Sequence, residues 1–314
     1  MGYEIIDQNN FVSPTLDKEL NKNLSNYEKS IILPLGEVEL TKKIKDLLII
    51  FRTNTDVGIW DQNKKRIFEK PKVEYAKRSL FSIIRAIENL NIKYPLINVI
   101  LNIVDDNSKK NNLEQLENII SKKNLNYKII NHDNSEHKDE IKNQKNIETY
   151  SNLSSLLKCY QIAKKDGKDM IYFVEDDYVH FESSLEEMIG TYERISSQLN
   201  KDIFICPSDY PYLYTNNEKT NLLIGNKRHW RTISKTLCTF MTSKILLDKY
   251  WDNFYKTCLD RNDPFEKFLN EMYETEICIS PIKSLAVHLT NINSGYGLSP
   301  FINYKSIWDE NNND

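Results

Sequence analysis

Met170-Ile171-Tyr172-Phe173-Val174-Glu175-Asp176-Asp177 runs five apolar residues straight into three carboxylates. An unbroken apolar run of this length predicts a strand buried on both faces, as in a parallel sheet. The acids that follow sit where such a strand ends. Open α/β sheets bind ligands outside the carboxyl ends of their strands. Three adjacent carboxylates repel one another and lose solvation together, and a divalent cation at that edge offsets both costs. Hard cations such as Mg²⁺ and Mn²⁺ take carboxylate oxygens together with substrate phosphates. The plain alternative is that the acids lie in a solvated turn or cap the helix beginning near Ser184.

Reading outward from this run, the same pattern recurs. Leu47 to Phe51 is a first buried strand, ending in Arg52-Thr53-Asn54-Thr55-Asp56. Leu80, Ile83, Ile84, Ile87 and Leu90 follow at helical spacing. Ile97 to Val104 is a second strand and ends in Asp105-Asp106-Asn107-Ser108. A helix over 112–123, a strand over 127–130 and a charged loop from His132 to Glu148 come next. Tyr150 to Ala163 reads as a helix, Ser184 to Leu199 as another, and Ile203 to Ile205 as a strand. This alternation predicts an α/β fold, a mostly parallel sheet with helices on both faces. After Pro207 the alternation stops. Helices are expected over 244–256 and 264–273, with short strands near Ile277 and over 284–287.

The chain of 314 residues is 40% hydrophobic and 28% charged, which is ordinary globular composition. A net charge of -3 gives no whole-chain reason to expect nucleic acid. The five cysteines are widely spaced without a C-x-x-C pair. A disulfide framework or cysteine-based zinc site is therefore not expected, and a reducing, cytoplasmic location is. The amino terminus lacks the pattern of a secretory signal. No run of about 18 apolar residues predicts a membrane span, which leaves a peripheral membrane contact open. Neither G-x-x-x-x-G-K-[ST] nor G-x-G-x-x-G occurs, so phosphates would need a metal rather than a glycine-rich cradle.

The order of three segments carries a resemblance. Ile49-Ile50-Phe51-Arg52-Thr53-Asn54, the helix around Ser79-Leu80, and Ile103-Val104-Asp105-Asp106-Asn107-Ser108 precede Tyr150 to Asp177. This order resembles the opening of GT-A-fold glycosyltransferases of the family 2, D-x-D type, over roughly Asp46 to Tyr178. The resemblance implies a GT-A domain over 46–300, with a nucleotide-sugar half (46–207) and a variable acceptor half (208–300). Residues 1–45 are then an amino-terminal extension and 301–314 a tail. It implies a metal-dependent transferase of hexosyl type, moving a sugar from UDP- or GDP-sugar to a glycan or other hydroxyl acceptor with Mn²⁺ or Mg²⁺. Asp106 would meet the nucleobase, with Arg52, Thr53, Asn54 and Asp105 around the nucleotide. Glu175 takes the first place of D-x-D, near ribose or metal, Asp176 lies between, and Asp177 binds the metal. An insertion, Val57 to Lys72, separates the first strand from its helix.

In the second half, an inverting reaction needs a base. Asp263, before Pro264, is the first candidate, followed by Glu266 and then Asp260. Asp263 is equally an N-cap with Pro at the first helical position. His288 is a candidate third metal ligand or a structural histidine. Lys227-Arg228-His229-Trp230-Arg231 is either a mobile loop or a surface turn. In the first case Arg231 neutralises the leaving diphosphate and Trp230 stacks on a sugar. Tyr210, Tyr212 and Tyr214 either line an acceptor groove or pack in a strand. Nucleotidyl transfer and a non-catalytic carbohydrate- or partner-binding module are the competing functions.

Overall fold

The computed structural model describes residues 24–25, 28–32, 36–56, 66–142 and 147–312. Part of the 57–72 insertion lies outside these residues, as do parts of the amino-terminal extension and the last two residues.

The strand alternation appears as read. β1 (Lys29–Ile32) and β2 (Gly36–Glu39) form a hairpin. β3 (Asp46–Thr53), α1 (Lys72–Lys93), β4 (Asn98–Asp105), α2 (Lys110–Ile120) and β5 (Asn126–Asn131) follow. Then come α3 (Ile147–Asp166), β6 (Met170–Glu175), β7 (Tyr178–His180), α4 (Ser184–Leu199) and β8 (Phe204–Ile205). The second half holds α5 (Tyr212–Thr215), β9 (Leu222–Ile224), β10 (His229–Ile233) and β11 (Phe240–Ser243). It continues with α6 (Lys244–Lys249), α7 (Trp251–Leu259), α8 (Lys267–Met272), β12 (Cys278–Pro281), β13 (Ala286–His288) and α9 (Tyr304–Glu310).

Nine strands join one sheet in the order β5-β4-β3-β6-β11-β8-β12-β10-β9. The pairings make β5, β4, β3, β6, β8, β12 and β9 run one way, with β11 and β10 against them. The sheet is therefore mostly parallel, as expected. Side-chain alternation explains why β3 and β6 are apolar throughout. Leu47, Ile49 and Phe51 join Met170, Tyr172 and Val174 in a core with α1 and α4. Leu48 and Ile50 join Ile171 and Phe173 in a second core with α3 and α7. Each strand thus feeds both layers.

The flanking regions differ from expectation. The hairpin of the extension is tied to the domain through α4. Arg194 donates to the carbonyls of Leu24, Ile31 and Ile224, and Glu193 accepts from the Ile44 amide. The 301–314 tail carries α9, whose Ile307 and Trp308 are buried beside Tyr75. Arg78 of α1 stacks on the Trp308 ring at 4.1 Å. The single helix expected over 244–256 is two, α6 and α7, with Tyr250 between them. α8 begins at Lys267 rather than Pro264, so Asp263 lies in the preceding turn and caps no helix. Tyr210 and Tyr212 do not alternate along a strand, because Tyr212 opens the short helix α5. In the charged loop after β5, Asn134–His137 forms a 3-10 turn.

Candidate active site

The carboxyl ends of β3, β4 and β6 lie side by side, so the residues that end them meet at one rim. Helix α1 fixes the turn after β6. Ser79, fully buried, donates to the Tyr178 carbonyl, and the His180 amide donates to Ser82 Oγ. The Ser-Leu helix of the sequence thus sets the position of the acidic run.

Each acid of that run has its own partner. Glu175 accepts from Arg52 Nη2 at 2.6 Å. Arg52 Nη1 reaches the Asn152 side chain at 2.6 Å and Ser155 Oγ at 3.3 Å, tying β3 to α3. Burial opposes the Arg52 charge, yet the nearby Glu175 more than compensates and holds its pKa above the usual value. Asp176 is buried and fully engaged. Its Oδ2 accepts from Thr53 Oγ1 at 2.8 Å and the Asn54 amide at 3.1 Å, and its Oδ1 pairs with Lys72. Asp176 is thereby a latch between β3 and the first residue of α1. Burial works against the Lys72 charge, but Asp176 and then Asp177 raise its pKa.

Asp177 has a different partner. The strands β7 and β13 pair so that His288 faces Tyr178 across the ladder. His288 Nε2 then lies 3.3 Å from Asp177 Oδ2, and the Thr290 hydroxyl donates to the same oxygen. The other ring nitrogen, Nδ1, donates to the Tyr296 carbonyl at 2.9 Å. The imidazole stacks on Tyr178 with centroids 4.7 Å apart and planes at 7°. Burial opposes charge on both groups. Even so, His288 drives the Asp177 pKa far down, and Asp177 raises that of His288. Each group thus favours the charged form of the other. Asp177 and His288 are two of the expected metal ligands, and the fold brings them together. Glu175, expected as a further ligand, is instead held by Arg52.

The second acidic strand end is also at the rim, but buried. Asp105 accepts from the Ser108 amide at 3.1 Å, and its pKa is raised chiefly by burial. Asp106 Oδ2 accepts from Ser151 Oγ at 2.6 Å and Asn54 Nδ2 at 3.4 Å. Both are 3% exposed or less, so neither presents its carboxylate openly to a nucleotide in this conformation.

The expectations for the acceptor half need correction. Trp230 is fully buried in β10, with its indole N–H donating to Glu187 at 3.1 Å, so it is no sugar-stacking surface residue. Gly225 lies so close that an added Cβ would fall 2.2 Å from Trp230 Nε1. Arg231 is buried on the same strand and paired with Asp209, so it is not a loop cation. Tyr210 is buried and hydrogen-bonded to Tyr178 at 2.6 Å, and buried Tyr212 donates to the Lys235 carbonyl at 2.8 Å. Both tyrosines support the site from beneath. Asp263 is exposed. Glu266 is half-buried, and its charge acts on Cys238 and Tyr296. Cys238 in turn feels Glu175, and Tyr296 holds His288. Two contributors were missed in the sequence, Lys72 and Thr290. A lone Lys at a helix start and a lone Thr two residues past a His carry no signal of their own.

No protein-family model matches the chain, and no curated protein matches it. Several solved structures align with it. S. aureus TarS (1–349) does so at 10% identity over 77% of this chain and 59% of that one, with a TM-score of 0.44. A galactosyltransferase, LgtC, in complex with donor and acceptor sugar analogs aligns at 10% identity over 72% and 70%, with a TM-score of 0.37. UDP-glucose pyrophosphorylase complexed with UDP-glucose aligns at 11% identity over 78% and 93%, also with a TM-score of 0.37. The chain spans 59%, 36% and 55% of three TarS structures that it matches. At these identities and TM-scores the likenesses establish neither family nor activity. No described helix is long and apolar enough to cross a membrane.

Proposed function

We propose that this chain transfers a sugar from a nucleotide-diphosphate sugar, UDP- or GDP-linked, to a hydroxyl of a glycan or other acceptor. In this reading a divalent cation, Mn²⁺ or Mg²⁺, is held by Asp177 and His288. The observation that carries it is their convergence at 3.3 Å from positions 111 apart in sequence, with His288 Nδ1 already anchored on a backbone carbonyl. A metal-binding histidine is typically held in this way through its second nitrogen. The donor set of one carboxylate and one imidazole leaves positions for diphosphate oxygens. Such a cation supplies charge neutralisation for the departing diphosphate.

The chain's own groups supply the rest. Lys72 and Arg52 place two fixed positive charges beside the acidic run. They limit the repulsion that a diphosphate would meet there. The half-buried Asn54, in contact with Asp106, follows the end of β3, where a nucleoside would lie. Glu266 is the better-placed base for an inverting attack, because it is near Tyr296, and Asp263 is the second choice. The Tyr296 phenol, pushed up to about 12 first by burial and then by Glu266, stays protonated and able to donate.

The test is a donor screen with Mn²⁺, reading release of nucleoside diphosphate. Turnover with release of UDP or GDP supports the reading. Formation of pyrophosphate from a nucleoside triphosphate and a sugar phosphate would replace it with nucleotidyl transfer. Binding without turnover of any donor would leave a carbohydrate-binding module in its place.

A further inference from the structure

A second group of metal-competent side chains lies away from the acidic run, in the loop that follows the edge strand β5. His132 and His137 are 2% and 3% exposed, and their rings stack with centroids 5.7 Å apart and planes at 24°. Each imidazole has one nitrogen fixed by the protein. His132 Nε2 lies 2.8 Å from Ser154 Oγ, and His137 Nδ1 lies 3.0 Å from Glu140 Oε1. Glu140 is itself held by the Tyr255 hydroxyl of α7. The opposite nitrogens, His132 Nδ1 and His137 Nε2, are buried and have no hydrogen-bond partner. Leaving such an atom buried and unpaired is costly, and here two occur in neighbouring rings. Ligand atoms of His132, Glu136 and His137 all lie within 4.8 Å of one another, the one such group of three among the described residues.

We propose that His132, Glu136 and His137 form a second metal site, specific for a borderline divalent transition metal such as Zn²⁺. Two imidazoles and one carboxylate suit Zn²⁺, Co²⁺ or Ni²⁺ better than Mg²⁺ or Mn²⁺. The unpaired nitrogens supply the lone pairs. Glu136 uses Oε2 for Lys158 at 2.5 Å, which leaves Oε1 for the ion. The contacts of Ser154 and Glu140 are the outer-shell bonds that orient ligating histidines. The ion would tie His132 to the 136–137 end of the same turn, which Ser154 and Lys158 of α3 already hold. That loop also reaches the donor rim, through Asn134 Nδ2 on Ser151 Oγ and Ser151 on Asp106. The proposal does not depend on what the Asp177–His288 pair binds.

The test is Zn²⁺ titrated into the full chain against a chromophoric chelator, in the Asp177→Asn background to silence the first pair. One tight equivalent is expected. H132Q keeps a group able to meet Ser154 but removes the Nδ1 ligand. H137N keeps a group able to meet Glu140 but removes the Nε2 ligand. Each should weaken Zn²⁺ at least about tenfold, and E140Q about 10–100-fold, as for outer-shell partners. Circular dichroism checks folding, and E136Q, on an exposed residue, carries the test if a histidine variant does not fold. Absence of a tight equivalent overturns the proposal. So does unchanged affinity in the folded variants.

Discussion

His288 Nε2 lies 3.3 Å from Asp177 Oδ2 although 111 residues separate the two in sequence. The β7–β13 pairing makes this contact, and the Tyr296 carbonyl aims the ring. A metal needs the imidazole neutral, whereas Asp177 favours its protonated form. The His288 pKa is raised, so protons compete with the cation below it. Mn²⁺ affinity should therefore fall as pH drops, by up to about tenfold per unit. Titration followed by electron paramagnetic resonance reads this directly. An affinity flat from about pH 8 to pH 6 would contradict it.

The same pair affects stability in the metal-free chain. The raised His288 pKa contributes stability that is present below the unfolded value and lost as pH rises through the folded one. The depressed Asp177 pKa contributes stability that is present above the unfolded carboxylate value and lost as pH falls through the folded one. His288→Gln should therefore cost most stability between these limits and least at high pH. Urea unfolding across that range measures it.

Trp230 is a stability residue. Trp230→Ala should cost about 3–5 kcal/mol, the usual range for emptying a large aromatic site. Trp230→Phe should cost less but leave Glu187 without its indole donor. Donor affinity of folded Trp230→Phe should be unchanged. A selective loss of sugar binding at wild-type stability would restore the stacking role.

Glu193 is buried on α4, accepting from the Ile44 amide at 2.8 Å. Burial pushes its pKa up to about 7, against that bond and Lys43. An acid raised in the folded state binds a proton that the unfolded chain releases, so stability falls as pH rises from about 4.5 to 7. Glu193→Gln should flatten this decline and raise the melting temperature more at pH 8 than at pH 5. An equal shift at both would refute it.

Glu266→Gln and Asp263→Asn separate the two candidate bases. Loss of a general base typically costs about 10²–10⁴-fold in turnover. Glu266→Gln should lose turnover by that order while donor binding persists, and Asp263→Asn should retain most of it. Initial rates alongside calorimetry decide, and the reverse pattern would transfer the role to Asp263.

The legible parts of the fold were those with local periodicity. Helix α4 begins and ends where its apolar spacing does, and β3 and β6 declared their double burial through continuous apolar runs. What failed depended on distant partners. Lys227 to Arg231 reads as a basic surface segment until Glu187, Glu186 and Asp209 are seen to take its donors. Asp176, expected among the nucleotide-binding residues, latches Thr53 and Lys72. His132 and His137 were passed over in a charged loop, because only the folded chain shows their nitrogens buried and unpaired. The resemblance makes Asp177 a metal ligand and leaves His288 open between ligand and structural residue; their contact, like the capture of Glu175 by Arg52, depends on the fold.

The central claim is that Asp177 and His288 hold the cation through which a nucleotide diphosphate binds. Calorimetry with UDP and GDP, with and without Mn²⁺, tests it on the wild type and Asp177→Asn. Binding of one nucleotide should require Mn²⁺ and disappear in Asp177→Asn. Binding of neither nucleotide in the presence of metal, or wild-type affinity in the folded variant, would contradict it.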